Sequence, residues 1–241
     1  MPTTTDLSRR VGTPQWCQRT NGVLSTAEKL QAIGQSLSGT APLMVPYLRW
    51  RLAGWYRPSA PLPEPTAPTS EVCQAAHALC SKWSPEFMVN HCVRTYSFAR
   101  LLAEHWGIDF DDEALFVSGM LHDVSLMPGW TDREPHERCF TIPAGRAARN
   151  VCLDGGWSEE RAYKAEAAVT LNPNAEVARD LGIEAYLLNL GVLVDATGIR
   201  LWEIHPDDLT RLLERAPRLQ MKRQIVEFVH TEADAHPGCR F

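Results

Sequence analysis

The chain lacks a basic surplus: its 24 lysine and arginine residues are outnumbered by 29 aspartate and glutamate residues, and the formal net charge is −5. Nucleic-acid-binding domains usually carry clustered positive charge, so this balance argues against that class of function. The sequence also has no apolar run of the roughly 18 residues that a bilayer span requires, and no apolar stretch follows its first arginines, as a secretory signal would require. These absences predict a cytoplasmic protein with no nucleic-acid partner and no membrane span.

Cysteine pairs at metal-binding or redox spacing are also missing. The seven cysteines are odd in number and none forms a CxxC motif, which disfavours both a disulfide framework and a structural zinc site built from cysteine pairs. Several lie within apolar helical patterns, so we expect buried free thiols in a reducing compartment.

Strand-like alternation is nearly absent, and apolar residues recur instead at the three- and four-residue spacing of helices. The pattern predicts an all-α fold. Residues 1–20 are expected to form a polar tail, and Ser25 with Glu28 predicts a capping box at the first helix. Helices are expected at about 25–38, 43–55, 71–83, 85–105, 112–122, 144–154, 158–171, 185–194 and 209–230.

A proline-rich segment divides the chain. Residues 57–69 contain five prolines, a composition that excludes a helix or a central strand and favours an extended connector. We therefore predict an N-terminal tail and helical extension over 1–56, a linker over 57–69, and a main domain over 70–235.

Four polar residues stand where a core would normally require apolar side chains. His91 lies in a helical apolar stripe, the pair His122 and Asp123 follows the run ALFVSGML, and Asp195 follows AYLLNLGVLV. A buried carboxylate without a partner is very costly, so it is normally paired or bound to a metal. Three such positions on separate helices predict one convergent site.

Each of these residues also has an ordinary explanation. A single histidine on an apolar face is usually a hydrogen-bonded core residue. Asp123 could be solvated at a helix end, and Asp195 could cap the turn that follows it. Their joint occurrence favours the metal site, because imidazole and carboxylate together suit a divalent ion. We predict one such ion, with zinc first and iron, manganese or nickel as alternatives, in a site that keeps a position open for water.

The order H, HD, D on successive helices resembles the HD-domain superfamily of metal-dependent hydrolases, and is most similar to its cyanamide-hydratase-like branch. The resemblance covers about residues 84–200. It implies an orthogonal helical bundle of the HD-domain type, here with an N-terminal extension, and implies that His91, His122, Asp123 and Asp195 are the metal ligands. The segments that carry it are NHCVRTYSFARLLAEHW, ALFVSGMLHDVSL, RCFTIPAGRAARNVCLDGGWSEERAYKAEAAVTLNPN and GVLVDATG.

The resemblance also implies roles for residues around the ion. Asp123 is the expected proton carrier, and Arg94 either steadies an anionic group or braces the ligands. Phe140, Leu171 and Asn172 are expected in the substrate pocket, where the family tends to carry a histidine at the position of Leu171 or Asn172.

The resemblance implies a hydrolase or hydratase in which metal-bound water attacks a small, cyanamide- or nitrile-like substrate. Many phosphohydrolases of the superfamily carry Gly-Lys after the HD pair, and the absence of that lysine here disfavours phosphate esters. The alternatives are a phosphohydrolase of a nucleotide or phosphomonoester and a catalytically altered HD protein. A di-iron oxygenase would need further histidines. The expected partner is a small-molecule substrate, and a homo-oligomer is left open.

Overall fold

The computed structural model describes residues 6–63 and 66–240, and this part of the chain folds into α-helices joined by turns and short 3₁₀ segments, without a β-strand. The prediction of an all-α fold is confirmed. The helices are α1 (Pro14–Thr20), α2 (Thr26–Thr40), α3 (Met44–Ala53), α4 (Glu71–Trp83), α5 (Glu86–Trp106), α6 (Asp112–Leu121), α7 (Thr141–Asp154), α8 (Glu159–Leu171), α9 (Ile183–Thr197), α10 (Pro206–Arg215) and α11 (Met221–Ala235).

Side-chain caps begin several of these helices where the sequence predicts them. Ser25 accepts a hydrogen bond from the Glu28 backbone N–H while the Glu28 carboxylate accepts one from the Ser25 N–H, which completes the capping box. Asp111 and Ser158 cap α6 and α8 by accepting a hydrogen bond from the backbone N–H three residues later, at Ala114 and Arg161. These local bonds satisfy backbone donors that have no partner inside the helix, so the helix starts follow from short-range sequence signals.

The N-terminal segment differs from the predicted polar tail. Residues 1–5 lie outside the described part of the chain, but residues 14–20 form α1, with Trp16 fully buried. Thr13 caps this helix and Pro14 occupies its first position, a favourable start that the tail prediction overlooked.

The prediction of one continuous C-terminal helix over 209–230 is wrong. The structure has two helices there, α10 and α11. Pro217 lies between them and disfavours helical geometry at Ala216, whose φ and ψ are −130° and 75°. Leu219 and Gln220 then adopt positive φ values of 43° and 60°. The chain therefore turns before α11 begins.

The core is built around α5, which packs most extensively on α9, while α7 packs on α8 and α6 lies against both pairs. Gly191 on α9 allows the closest approach: a Cβ atom there would lie 2.2 Å from the Thr95 carbonyl oxygen on α5. Any larger residue would force the helices apart, so this glycine sets the spacing between the backbones that carry His91 and Asp195.

Two helices of the predicted extension contribute little to this core. Neither α2 nor α3 has a buried residue, and apolar side chains such as Leu30, Leu37 and Leu52 are exposed. The predicted linker lies outside any helix in its described residues 57–63 and 66–69, and its Leu62 backbone N–H donates to Asp208. The division into extension, linker and main domain stays a prediction.

Within the described residues, no helix has both the length and the apolar composition needed to cross a membrane.

Candidate metal centre

Helix α5 presents His91 to the interior. Phe87, His91, Thr95, Phe98 and Leu102 are all buried, as the three- and four-residue spacing predicts. The imidazole of His91 is only 1% exposed, so it sits in a place that an apolar side chain would normally occupy.

Helix α6 delivers the second part of the site. It is apolar on all sides and ends at Leu121, so that His122 and Asp123 leave the helix while still inside the core. His122 keeps helical backbone angles, whereas Asp123 has φ −113° and ψ 4° and starts the 3₁₀ turn Val124–Leu126. This change of geometry turns the Asp123 side chain towards the histidines.

Three donor atoms converge between α5 and the end of α6. His122 Nε2 lies 3.3 Å from His91 Nε2 and 3.2 Å from Asp123 Oδ2, and His91 Nε2 lies 3.7 Å from the same carboxylate oxygen. One donor atom from each residue falls within 4.8 Å of the others, and all three residues are buried. Two imidazoles and a carboxylate at such separations form a donor set suited to a divalent ion.

The outer nitrogen of each imidazole is engaged elsewhere, so both Nε2 atoms face the centre. His122 Nδ1 lies 2.8 Å from the Gly119 carbonyl oxygen, which can only accept a hydrogen bond. His91 Nδ1 lies 2.7 Å from Asp195 Oδ2. A hydrogen bond on Nδ1 fixes the ring orientation and leaves a lone pair on Nε2, as metal-binding histidines require.

The charges of the donors are mutually favourable. Burial lowers the pKa of His122, but the Asp123 carboxylate and the Gly119 carbonyl outweigh this, and the pKa is raised overall. Burial alone would raise the pKa of Asp123, yet its interactions with His122 and His91 hold that pKa below the usual value. The site therefore favours an ionised carboxylate beside the two rings.

Asp195 occupies a different position from the one expected of a ligand. Its carboxylate is fully buried on α9 and meets Arg94 at 2.8 and 2.9 Å, His91 Nδ1 at 2.7 Å and Arg218 Nη1 at 2.9 Å. Burial opposes ionisation, but His91 and Arg94 hold the pKa of Asp195 well below its ordinary value. Asp195 thus contacts the outer side of His91, and it is not in the three-residue donor group.

Arg94 is fully buried, and its donors are occupied by the fold. Besides the two bonds to Asp195, its Nη1 donates to the carbonyl oxygens of Ala216 and Pro217 at 2.9 and 3.0 Å, and its Nη2 lies 3.1 Å from Met221 Sδ. These contacts favour the bracing role over direct contact with a substrate.

The three residues predicted for the substrate pocket have different surroundings. Leu171 is fully buried in the main apolar cluster, and Phe140 is buried in a smaller cluster with Phe87 and Met221. Asn172 is 7% exposed, and its side-chain oxygen is buried without a hydrogen-bond partner among the described residues. Of these three residues, only Asn172 presents an unpaired polar atom that a ligand could use.

Sequence reasoning missed Arg218 and the packing glycines. Arg218 Nη1 contacts both the Asp195 backbone oxygen and its carboxylate at 2.9 Å, although Arg218 follows Asp195 by 23 residues. Gly119 and Gly191 lie inside apolar helical runs, and such glycines often mark close helix contacts. That signal was available for the glycines, whereas no local pattern singles out Arg218.

Comparison with known proteins supports the resemblance. Residues 88–190 match the family model of the HD domain. This match places an HD domain in that part of the chain. Over 186 residues it is 24% identical to cyanamide hydratase DDI2 and, equally, to cyanamide hydratase DDI3, both of Saccharomyces cerevisiae; the match covers 75% of this chain and 80% of each relative.

These comparisons support a metal-dependent hydrolase or hydratase in general terms. HD domains bind divalent metals, and the donor group of His91, His122 and Asp123 is one that could hold such an ion. The facing Nε2 atoms give a physical reason: two imidazole lone pairs at 3.3 Å repel each other unless a proton or a cation lies between them. The residues present therefore fit a metal ion.

Proposed function

We propose that this protein adds water to a small, uncharged nitrile such as cyanamide, using one divalent ion held by His91, His122 and Asp123. The convergence of donor atoms from these three buried residues is the observation that carries the proposal. The substrate class comes from the similarity to cyanamide hydratases, since a fold alone does not specify a reaction.

A bound divalent ion would supply Lewis acidity and a lowered pKa for coordinated water. The protein supplies orientation and proton handling. His91 and His122 are held by hydrogen bonds on their outer nitrogens. Asp123 directs Oδ2 to the histidines, and its Oδ1 has no hydrogen bond to any described residue. We assign Asp123 the movement of a proton between water and the nitrile nitrogen.

Asp195 and Arg94 act as positioning residues in this proposal. Asp195 accepts the hydrogen bond from His91 Nδ1, and Arg94 holds that carboxylate with two nitrogens. Such a carboxylate behind a metal-binding histidine orients the ring and increases its basicity. The alternative, which the family resemblance implies, is that Asp195 is itself a ligand, and the metal affinities of Asp195 and Asp123 variants distinguish the two.

An uncharged substrate fits the charges around the centre. Arg94 and Arg218 both contact Asp195, so both guanidinium groups are already engaged with that carboxylate. Ser125, which follows the HD pair by two residues, donates its hydroxyl to the Phe140 carbonyl. Among the described residues near the donors, no unpaired cation is left for a phosphate group, which an efficient phosphohydrolase would need.

Asn172 is the residue we assign to substrate orientation. Its buried side-chain oxygen accepts no hydrogen bond from the described residues, and an unpaired buried acceptor is costly. The amino group of cyanamide donates hydrogen bonds, so it would satisfy this oxygen. Asn172 would then replace the histidine that the family tends to carry near this position.

The first test is metal content by mass spectrometry, on wild-type protein purified without added metal and on an Asp123→Ala variant. About one equivalent of zinc, iron, manganese or nickel in the wild type, lost in the variant, supports a mononuclear site. No metal in either protein, even after reloading, contradicts it.

The second test follows urea formation from cyanamide by the metal-loaded wild type, beside Asp123→Ala and Asn172→Ala. Hydration that Asp123→Ala abolishes supports the proposal, and a raised KM in Asn172→Ala supports its orienting role. Hydrolysis of p-nitrophenyl phosphate without hydration of cyanamide would favour the phosphohydrolase instead.

A further inference from the structure

Two cysteines that lie 100 residues apart in sequence face each other beside the candidate site. The Sγ atoms of Cys139 and Cys239 are 2.9 Å apart, with the Cys239 thiol donating to Cys139. Cys139 is fully buried, whereas Cys239 is partly exposed. A covalent disulfide has a sulfur separation of about 2.05 Å, so a small movement of the side chains would join the pair.

The C-terminal segment is held in this position by contacts other than the thiols. The Arg240 guanidinium is buried and bonds to Asn174 Oδ1 at 3.0 Å, to Thr141 Oγ1 at 3.0 Å and to the Thr170 carbonyl at 2.8 Å. It also lies 5.1 Å from the ring centre of Trp16. Cys239, the adjacent residue, is therefore presented to Cys139 in a defined geometry, with little conformational entropy left to lose on pairing.

The hydrogen bond to Cys139 and burial raise the pKa of Cys239 above the usual thiol value, so Cys139 is the thiolate of the pair. Burial raises the pKa of Cys139, but the hydrogen bond from Cys239 and the charge of Arg240 outweigh it and bring that pKa well below the usual thiol value. Thiolates are the nucleophiles of thiol–disulfide exchange. The partly exposed Cys239 gives an oxidant access that the buried Cys139 lacks.

We propose that Cys139 and Cys239 form a reversible disulfide that fastens the C-terminal segment, and with it α11, across the segments that carry His91 and Asp123. The oxidant is a low-molecular-weight disulfide such as oxidised glutathione. One thiolate attacks it, forms a mixed disulfide and releases one glutathione thiol. The second thiolate then attacks the mixed disulfide and releases the other. Two protein thiols are oxidised by two electrons, and their protons leave on the two glutathione thiols.

Helix α11 packs against the segments that carry His91 and Asp123, so a disulfide at Cys239 would restrain this helix. Its first residue, Met221, contacts Arg94, and Phe228 stacks on Phe87 of α5 with ring centres 5.9 Å apart. Glu232 near its end pairs with Arg133 at 2.6 and 2.8 Å. The helix thus lies across α5 and, at its contact with the turn Val124–Leu126, beside Asp123. A disulfide between Cys139 and Cys239 would oppose the movement of α11 away from α5.

A second thiol pair provides an internal comparison. Cys80 and Cys92 are also in hydrogen-bond contact, but both are buried, with exposures of 0% and 1%. Because exchange needs access for the oxidant, the Cys139–Cys239 pair should react while the Cys80–Cys92 pair remains reduced.

The test incubates the full-length protein with mixtures of reduced and oxidised glutathione, quenches it with an alkylating agent, and measures intact mass and cross-linked peptides. We expect the oxidised protein to carry two fewer alkyl groups than the reduced protein, with the corresponding loss of mass, and one linked peptide pair joining Cys139 to Cys239. Amide hydrogen exchange of α11 should slow by roughly tenfold or more in the oxidised protein.

Three variants make the result specific. Cys239→Ser, at a partly exposed position, should abolish the mass loss and the slowing of α11. Cys17→Ala and Cys80→Ala should leave both intact. No cross-link at any glutathione ratio, a cross-link through Cys17 or Cys80, or a Cys139–Cys239 bond that leaves α11 exchange unchanged would each overturn the proposal. None of these measurements depends on catalytic activity.

Discussion

Asp123 and Asp195 look alike in the sequence but occupy different surroundings in the structure. Both come at or near the end of an apolar helix and both are buried. Asp123 faces two imidazoles and has an oxygen with no bond to the described residues, whereas Asp195 is surrounded by Arg94, Arg218 and His91. The negative charge of a buried carboxylate must be compensated by its surroundings. Permanently charged arginines compensate Asp195, whereas titratable histidines, which can also bind a metal, lie beside Asp123.

The largest expected effect is on stability. Asp195→Ala should lower the free energy of unfolding by about 3–5 kcal/mol, because it leaves the buried Arg94 without its carboxylate. The comparison variant is Asp123→Ala, whose loss should stay below about 2 kcal/mol, since only titratable histidines lose a partner. Urea denaturation in the presence of a chelator measures both. Equal losses would remove the distinction between the two aspartates.

For metal affinity, in contrast to stability, substitution of Asp123 should have the larger effect and substitution of Asp195 the smaller. Asp195→Asn keeps the shape of the side chain but weakens its bond to His91, so affinity should fall about 10–100-fold. Asp123→Asn removes a carboxylate donor and should reduce affinity further. Competition with a chromogenic chelator gives both values. If Asp195→Asn loses metal as completely as Asp123→Asn, then Asp195 is itself a ligand, as the family resemblance implies.

A smaller effect is expected at Arg218. Its side chain is 32% exposed and pairs with Asp195 at 2.9 Å, so solvent screens part of the interaction. Arg218→Ala should cost about 1 kcal/mol because Arg94 still neutralises the carboxylate. The buried partner variant, Arg94→Ala, should cost several times more in the same denaturation assay. If Arg218→Ala and Arg94→Ala cost the same free energy of unfolding, Arg218 would be as important as Arg94 for balancing the charge of Asp195.

The smallest effect concerns pH in the metal-free protein. The pKa of His122 is raised in the fold by Asp123, so its stabilisation is complete below the unfolded value of about 6.5 and is lost as pH rises through the folded pKa. Wild type should therefore lose stability as the pH rises above about 6.5, and Asp123→Asn should lose less.

Much of the fold follows from local sequence signals. The helix α4 was predicted to the residue, and the ends of α2, α6 and α8 lie within a few positions of their predictions, because side-chain caps act over three or four residues. Two predictions failed where a local signal was overlooked. Pro217 separates α10 from α11, and Thr13 with Pro14 starts α1.

The candidate site was predicted only in outline. Polar residues in apolar helical patterns singled out His91, His122, Asp123 and Asp195, and the structure brings the first three together as donors. The place of Asp195 depends on Arg94 and Arg218, which approach it from different helices and turns. No spacing rule connects residues that meet only after the helices pack.

The sequence by itself determined the helical class, most helix boundaries and the identity of the polar residues placed in the core, because periodicity and capping are local properties. Only the tertiary structure decided which nitrogen of each histidine faces the centre, which aspartate faces the donors and which faces the arginines, and which cysteines meet. Those outcomes depend on the close approach of α9 to α5 at Gly191 and on a C-terminal segment anchored by Arg240. Distances of a few ångströms between distant parts of the chain are set by packing, and packing is a property of the whole fold.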